Sequence, residues 1–100
     1  MKLKTFRQIK APKSESKGNG NYKVNGKILN VKRIDNDDFV VKKGNRTMKA
    51  HVDRRIIGKQ NDKLKVKYSV KIGQKKTEFT CDMKKPMDLS PSMIARVSQL

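Results

Sequence analysis

The chain has 100 residues, which allows one domain with tails and excludes two independent cores. Its 26 Lys and Arg residues against 9 Asp and Glu residues give a formal net charge of +17, which predicts a polyanionic partner, with nucleic acid ahead of an acidic protein or a membrane. No apolar run approaches the roughly 18 residues of a membrane-spanning helix and no secretory segment follows Met1, so we expect a cytoplasmic protein without a membrane partner.

Residues 1–20 are predicted to form a flexible basic tail and linker. Basic residues outnumber acidic ones there, and Pro, Ser, Gly and Asn crowd residues 11–20, a composition typical of linkers. Leu3, Phe6 and Ile9 have the spacing of a helical turn, so this end either forms a short basic amphipathic element on a partner or remains a solvated tail. Isolated helices of this length are marginal, which favours the tail.

The period of the apolar residues changes to two from Tyr22 onward, which indicates strands with one buried face. Residues 22–34 are expected to hold the first strand, with Asn25-Gly26 as either a tight turn or a bulge. Residues 35–38 then have the composition of a turn. A hairpin is expected to follow.

A two-residue turn at Gly44-Asn45 gives that hairpin a self-consistent register. Residues 53–60 are compatible with either a continued strand or a short helical turn that ends at Gly58. The register of the hairpin places four apolar side chains on one face, Val41 opposite Met48 and Phe39 opposite Ala50.

Residues 64–83 are predicted to form a second hairpin around Gly73-Gln74, because a two-residue loop with Gly first favours a type II′ turn. A slip by one residue would set Glu78 against Val70, so the alternation specifies one register. The pairs that it buries are Val70 with Thr77, Tyr68 with Phe79, Val66 with Cys81, and Leu64 with Met83.

Ser90 followed by Pro91 is typical of a helix start, since Ser caps the first turn and Pro is favoured at the first helical position. The apolar residues that follow fall on one side of a short helix over residues 91–98. We therefore expect residues 21–100 to form a single β-rich domain, with the C-terminal helix 91–98 covering an open end of the sheet.

Gly26 is followed by alternating apolar residues, Ile28 and Val31, and then by the hairpin FVVKKGNRTMKAHVDR. In this order of features, the chain resembles the SH3-like barrels of the KOW and Tudor type and of the C-terminal domain of retroelement integrases, over the segment NGKILNVKRIDNDDFVVKKGNRTMKAHVDRRI. The resemblance implies a small antiparallel barrel or strongly curled meander of five to six strands. It also implies binding to nucleic acid or to a nucleoprotein assembly, without identifying individual functional residues.

The sequence offers little material for catalysis. His51 and Cys81 are the candidates for a nucleophile with its base, yet the predicted registers place only Cys81 on an apolar face, where it is expected to be a small buried hydrophobe. Asp35, Asp37 and Asp38 could bind a cation, but the short loop lacks a later bidentate acid, which favours a simple turn. We expect a protein that is not an enzyme, with no catalytic residue, metal or cofactor.

Three groups of basic residues are the predicted contacts with nucleic acid. Because lysine dominates and arginines are few, we expect contacts with the phosphate backbone of DNA or RNA and low sequence specificity. The groups are the tail (Lys2, Lys4, Arg7 and Lys10), a central corner (Arg46, Lys49, Arg54, Arg55 and Lys59) and the outer face of the second hairpin (Lys63, Lys65, Lys67, Lys71, Lys75 and Lys76).

The alternative is a small virus- or phage-type accessory regulator. Such a protein would use a sheet edge or a terminal segment to bind a larger nucleic-acid enzyme, such as RNA polymerase or a nuclease, in the host cytoplasm. A ribosomal or virion component is a third possibility, in which the basic tail would become ordered only within the assembly.

Overall fold

One antiparallel sheet of seven strands contains most of the chain. The computed structural model describes residues 3–100. Each strand pairs with the next one along the chain, so the sheet is a simple meander, and a short helix follows it. The elements are β1 (Ser14–Gly18), β2 (Asn21–Val24), β3 (Lys27–Asp35), β4 (Asp38–Lys43), β5 (Arg46–Gln60), β6 (Lys63–Ile72), β7 (Lys75–Met83) and α1 (Pro91–Ser98).

The sheet is open, neither closed nor curled, so the prediction of an SH3-like barrel or curled meander of five to six strands is wrong. A barrel requires its last strand to pair with its first. Here the outer edge of β7 pairs with the N-terminal segment instead. The N–H of Phe6 donates to the carbonyl of Thr80 at 2.9 Å, and the N–H of Thr80 donates to the carbonyl of Lys4 at 2.9 Å.

The N-terminal region makes defined contacts where the sequence predicted a flexible tail. The ring of Phe6 lies 5.0 Å from the ring of Phe79, measured between centroids. The guanidinium of Arg96 lies 4.7 Å from the centroid of the Phe6 ring. Residues predicted to be linker form β1, which pairs with β2. For residues 3–18 the predicted flexible tail is therefore replaced by contacts with the sheet and helix.

Both predicted hairpin registers are confirmed. The turn between β4 and β5 pairs Phe39 with Ala50. The turn between β6 and β7 pairs Tyr68 with Phe79. In each hairpin the two-residue turn and the period-two alternation require the same pairing, which is why the sequence specified it.

The two alternatives that the sequence left open are both decided. Asn25 and Gly26 form a tight turn between β2 and β3, with φ angles of 51° and 76°. Residues 53–60 continue β5 as a strand, and the register with β6 shifts between Ile56 and Gly58. β5 is therefore a single strand of 15 residues with a bulge near its end.

The helix and the core lie on the same face of the sheet. Side chains alternate between the two faces of a strand, and we call the face that carries the core the covered face and the other the open face. Phe39, Tyr68 and Phe79 are the largest buried side chains of the covered face. Ile94 and Val97 of α1 complete the same core. Each fully buried aliphatic or aromatic side chain contributes about 1.5–3 kcal/mol.

Residues 84–90 cross the covered face before the helix begins. The hydroxyl of Tyr68 donates to the carbonyl of Met87 at 2.6 Å, and Leu89 is buried. Ser90 is the N-cap of α1, and its side chain accepts a hydrogen bond from the N–H of Met93 at 3.3 Å. The predicted helix 91–98 is confirmed in its cap and its bounds.

Candidate functional site

Strand pairing places basic side chains of different strands next to one another on the open face. His51 of β5 lies opposite Lys71 of β6, which lies opposite Lys76 of β7. Arg55 lies opposite Lys67 in the same way. Directly opposed residues share a face, so these side chains form rows that cross the strands.

Most of the basic residues predicted in β5 to β7 lie on the open face. Their neighbours along the strands point into the core, as Ala50 does beside Lys49 and Val66 does between Lys65 and Lys67. The open-face members of the prediction are Lys49, Arg55, Lys63, Lys65, Lys67, Lys71 and Lys76.

Three further lysines of β2, β3 and β4 share this face and are not among the contacts predicted from the sequence. Each one is next to a buried valine in a strand of period two, so its exposure on the open face follows from alternation. That alternation was the signal that could have identified them. The lysines are Lys23, Lys32 and Lys42, beside Val24, Val31 and Val41.

The remaining predicted residues of β5 to β7 project from the covered side, so the structure divides the predicted central corner between two faces. The prediction of Lys75 on the outer face of the second hairpin is wrong, because Lys75 lies opposite the buried Ile72. The ammonium of Lys75 donates to the carbonyl of Leu100. Arg46 lines a depression beside the same residue. Lys59 lies opposite Leu64 near the end of β5. The covered-side members are Arg46, Arg54, Lys59 and Lys75.

Arg54 is held by carboxylates on the covered side. Its guanidinium contacts Asp88 and lies 3.6 Å from the carboxylate of Asp37. Arg33 lies 3.7 Å from the same Asp88, and its guanidinium lies 4.9 Å from the centroid of the Phe39 ring. This cluster attaches residues 84–90 to the sheet. The charge of Arg54 is therefore largely offset within the protein itself.

The described tail contacts, Lys4, Arg7 and Lys10, belong to the N-terminal segment whose residues Lys4 and Phe6 bond to the outer edge of β7. The backbone carbonyl of Lys4 accepts a hydrogen bond from the N–H of Thr80, and the side chain of Lys4 is exposed. Arg7 and Lys10 are exposed in the turns that follow. Lys2, the fourth predicted tail contact, lies outside the described residues.

The acidic side chains near the middle of the open face have partners within the protein. His51 lies between two of them, with Nδ1 2.7 Å from Oδ1 of Asp38 and Nε2 3.2 Å from Oδ1 of Asp53. The hydrogen bond with Asp38 is the main cause that raises the pKa of His51. Lys67 lies 2.8 Å from Glu78, and its hydrogen bond lowers the pKa of that carboxyl.

The open face thus carries two basic bands separated by a band of mixed charge. The bands follow one another along the strands, and the proximal and distal bands each include more than one row of paired residues. The proximal band contains Lys23, Lys32, Lys42 and Lys49. The central band contains Asp38, His51, Asp53, Lys71, Lys76 and Glu78. The distal band contains Arg55, Lys63, Lys65 and Lys67, with Asp82 opposite Lys65.

The candidates for catalysis and cation binding are separated or engaged elsewhere. Cys81 lies opposite Val66 on the covered face, and partial burial raises the pKa of its thiol. His51 lies on the open face, so the sheet separates the two groups. The acidic segment at residues 35–38 forms the turn between β3 and β4, in which the carboxylate of Asp35 accepts a hydrogen bond from the N–H of Asn36 at 2.8 Å.

No protein-family model, curated protein or solved structure matches the chain. Within residues 3–100 the helix is too short to cross a membrane. The strand order and the placement of the helix define an open β meander with one face covered by the helix and one basic face.

Proposed function

We propose that the chain is a non-enzymatic nucleic-acid-binding protein that uses the open face of its sheet to contact phosphate backbones. One observation supports this proposal above the others. The basic side chains of the proximal and distal bands are gathered on the face that the helix leaves open, while the central acidic groups are paired with His51 and Lys67. This arrangement leaves positive charge available to a polyanion.

Low sequence specificity follows from the kinds of cation on this face. Bidentate recognition of base edges depends mainly on arginine, whereas lysine provides a point charge for phosphates. Arg33 and Arg54 are engaged with Asp88, and Arg96 donates to the carbonyl of Pro12 at 2.9 Å. Among residues 3–100, Arg55 is the arginine that the strand registers place on the open face.

Charge-neutralising variants test the proposal directly. An open-face variant combines Lys32→Gln, Lys42→Gln and Lys49→Gln. A matched control, Lys13→Gln, Lys84→Gln and Lys85→Gln, removes the same charge from exposed positions outside the strands. Fluorescence anisotropy with a labelled duplex should show at least about a tenfold loss of affinity for the open-face variant and little change for the control. Equal losses in both variants would show that net charge acts without a defined surface.

A second candidate function is supported by the edge of β5. The pairing of β4 with β5 ends at Asp38 and His51, and a single further bond joins the N–H of Val52 to the carbonyl of Asp37. Within the described chain, residues 53–60 have no strand on that side. Ile56 beside this edge is 52% exposed.

An unpaired strand edge with exposed apolar side chains can accept a strand from another protein. This feature favours the accessory regulator that binds a larger nucleic-acid enzyme. Affinity measurements at low salt separate the two functions. Absence of measurable binding to both duplex and single-stranded nucleic acid, with the fold intact, would favour the regulator.

A further inference from the structure

We infer that the open face takes a nucleic-acid duplex, with one phosphate backbone against the proximal band, the other against the distal band, and the groove over the central band. This inference rests on the proposed function and specifies its ligand. Two features of the structure support it. They are the order of charges across the open face and the location of the aromatic rings.

The nearest cations of the two basic bands, which share β5, are separated by a distance that suits a duplex groove. Lys49 and Arg55 are six residues apart on β5, which corresponds to about 20 Å between their Cα atoms. The major groove of B-DNA is about 12 Å wide. Lys and Arg carry their charges on long flexible stems, so charges from both bands can lean inwards to the two walls of the groove.

The acidic side chains of β5 and β7 disfavour phosphates over those two strands in the middle of the face. A single phosphate backbone laid along β5 would pass over Asp53, and one laid along β7 would pass over Glu78, whereas the open face of β6 carries lysines without a carboxylate. Carboxylates repel phosphates, but they accept hydrogen bonds from amino groups in a groove. A groove over the central band places these carboxylates where no phosphate lies.

The aromatic rings are all committed to the other side of the protein. Single strands without fixed sequence are usually bound by stacking their bases on exposed aromatic rings. The chain has two Tyr and three Phe and no Trp. Each of them is buried in the core of the covered face or packed against it, namely Phe6, Tyr22, Phe39, Tyr68 and Phe79. The open face therefore offers charge without a stacking surface.

Anisotropy titrations with matched duplexes and single strands test the inference. The probes are a DNA duplex of about 25 base pairs, an RNA duplex of the same sequence, and the single strands with low self-complementarity. The wild-type protein should bind at least one duplex about tenfold or more tightly than the single strands at low salt. Single strands bound as tightly as both duplexes would overturn the inference.

Two variants then test whether both bands engage the duplex at once. The proximal variant is the open-face variant described above, Lys32→Gln, Lys42→Gln and Lys49→Gln. The distal variant is Arg55→Gln, Lys63→Gln and Lys65→Gln. Each should weaken duplex binding and reduce the salt slope by about 2 to 3, since each lost phosphate contact changes that slope by about 0.9. A reduced slope in only one variant would overturn the two-band arrangement. Absence of binding to every probe would overturn the proposed function itself.

Discussion

Arg54 and Arg55 are neighbours in sequence, yet their side chains leave β5 on opposite faces. Arg54 contacts Asp88 and lies near Asp37 on the covered side, whereas Arg55 lies opposite Lys67 on the open face. Their density in the sequence suggested a single basic corner. The alternation of a strand separates them, so adjacent residues acquire different roles.

This pair gives a matched prediction at the residue scale. Arg54→Gln should lower the free energy of unfolding by about 1 kcal/mol, because ion pairs that are partly exposed contribute modestly, and should change duplex affinity little. Arg55→Gln should lower duplex affinity and change the free energy of unfolding little. Chemical denaturation and anisotropy of both variants provide the measurement. A loss of affinity for Arg54→Gln equal to that of Arg55→Gln would argue against the division of the two faces.

His51 gives a second prediction at this scale, which concerns pH. The hydrogen bond with Asp38 raises the pKa of His51 above the ordinary value of 6.5, Asp53 acts in the same direction, and burial opposes them. Because the folded-state pKa is raised, the stabilisation is fully present below pH 6.5 and is lost as pH rises through the folded-state pKa. Lys49 and Lys71 lie near His51 on the same face.

An NMR titration of the imidazole measures this pKa directly. The midpoint should lie above 6.5 in the wild-type protein, and Asp38→Asn should lower it more than Asp53→Asn does. The two variants remove equal charge, so they control for the general field of the protein. A midpoint that is lowered equally by both would contradict the leading role of the Asp38 hydrogen bond.

At the scale of elements, the hairpins were predictable because two independent signals agree. In β6 and β7 the two-residue turn at Gly73 and the alternation of apolar residues require the pairing of Tyr68 with Phe79. β1 carried neither signal. Its residues, Ser14–Gly18, are mostly exposed and owe their strand to backbone pairing with β2. The period of the apolar residues therefore does not predict a strand of this kind.

The cap of α1 provides a prediction at the element scale. Ser90→Ala removes the side chain that accepts from the N–H of Met93, and it should lower the free energy of unfolding by about 0.5–2 kcal/mol. Ser90→Gly should cost only a few tenths of a kcal/mol, since Gly is itself tolerated at an N-cap. Thermal or chemical denaturation of both variants distinguishes them. Equal destabilisation would argue against the capping role.

At the scale of the whole molecule, the sequence predicted a mainly β domain but did not predict that its sheet is open. Alternating strands joined by tight turns have the same local pattern in a barrel and in an open meander, because closure depends on which strands meet at the two edges. Here Lys4 and Phe6 bond to the edge of β7 at Thr80. The N-terminal basic segment contains few signals of this contact, apart from the apolar Phe6 within it.

The candidate surface was predictable only in part for a related reason. Apart from Lys75, the predicted lysines of the second hairpin could be assigned to one face once its register was clear. Lys23, Lys32 and Lys42 join that face only because the earlier strands belong to the same open sheet. Fold topology, rather than local composition, determines that the basic residues of six strands share one surface.

The salt dependence of duplex affinity is the most direct measurement of the central claim, that the open face binds phosphate backbones. If the basic bands neutralise about 5 to 8 phosphates, the logarithm of the association constant should fall against the logarithm of salt concentration with a slope of about −4 to −7. The proximal and distal variants should each flatten that slope, and the control variant at Lys13, Lys84 and Lys85 should preserve it. A slope near zero for the wild-type protein, or equal flattening by the control, would contradict the account.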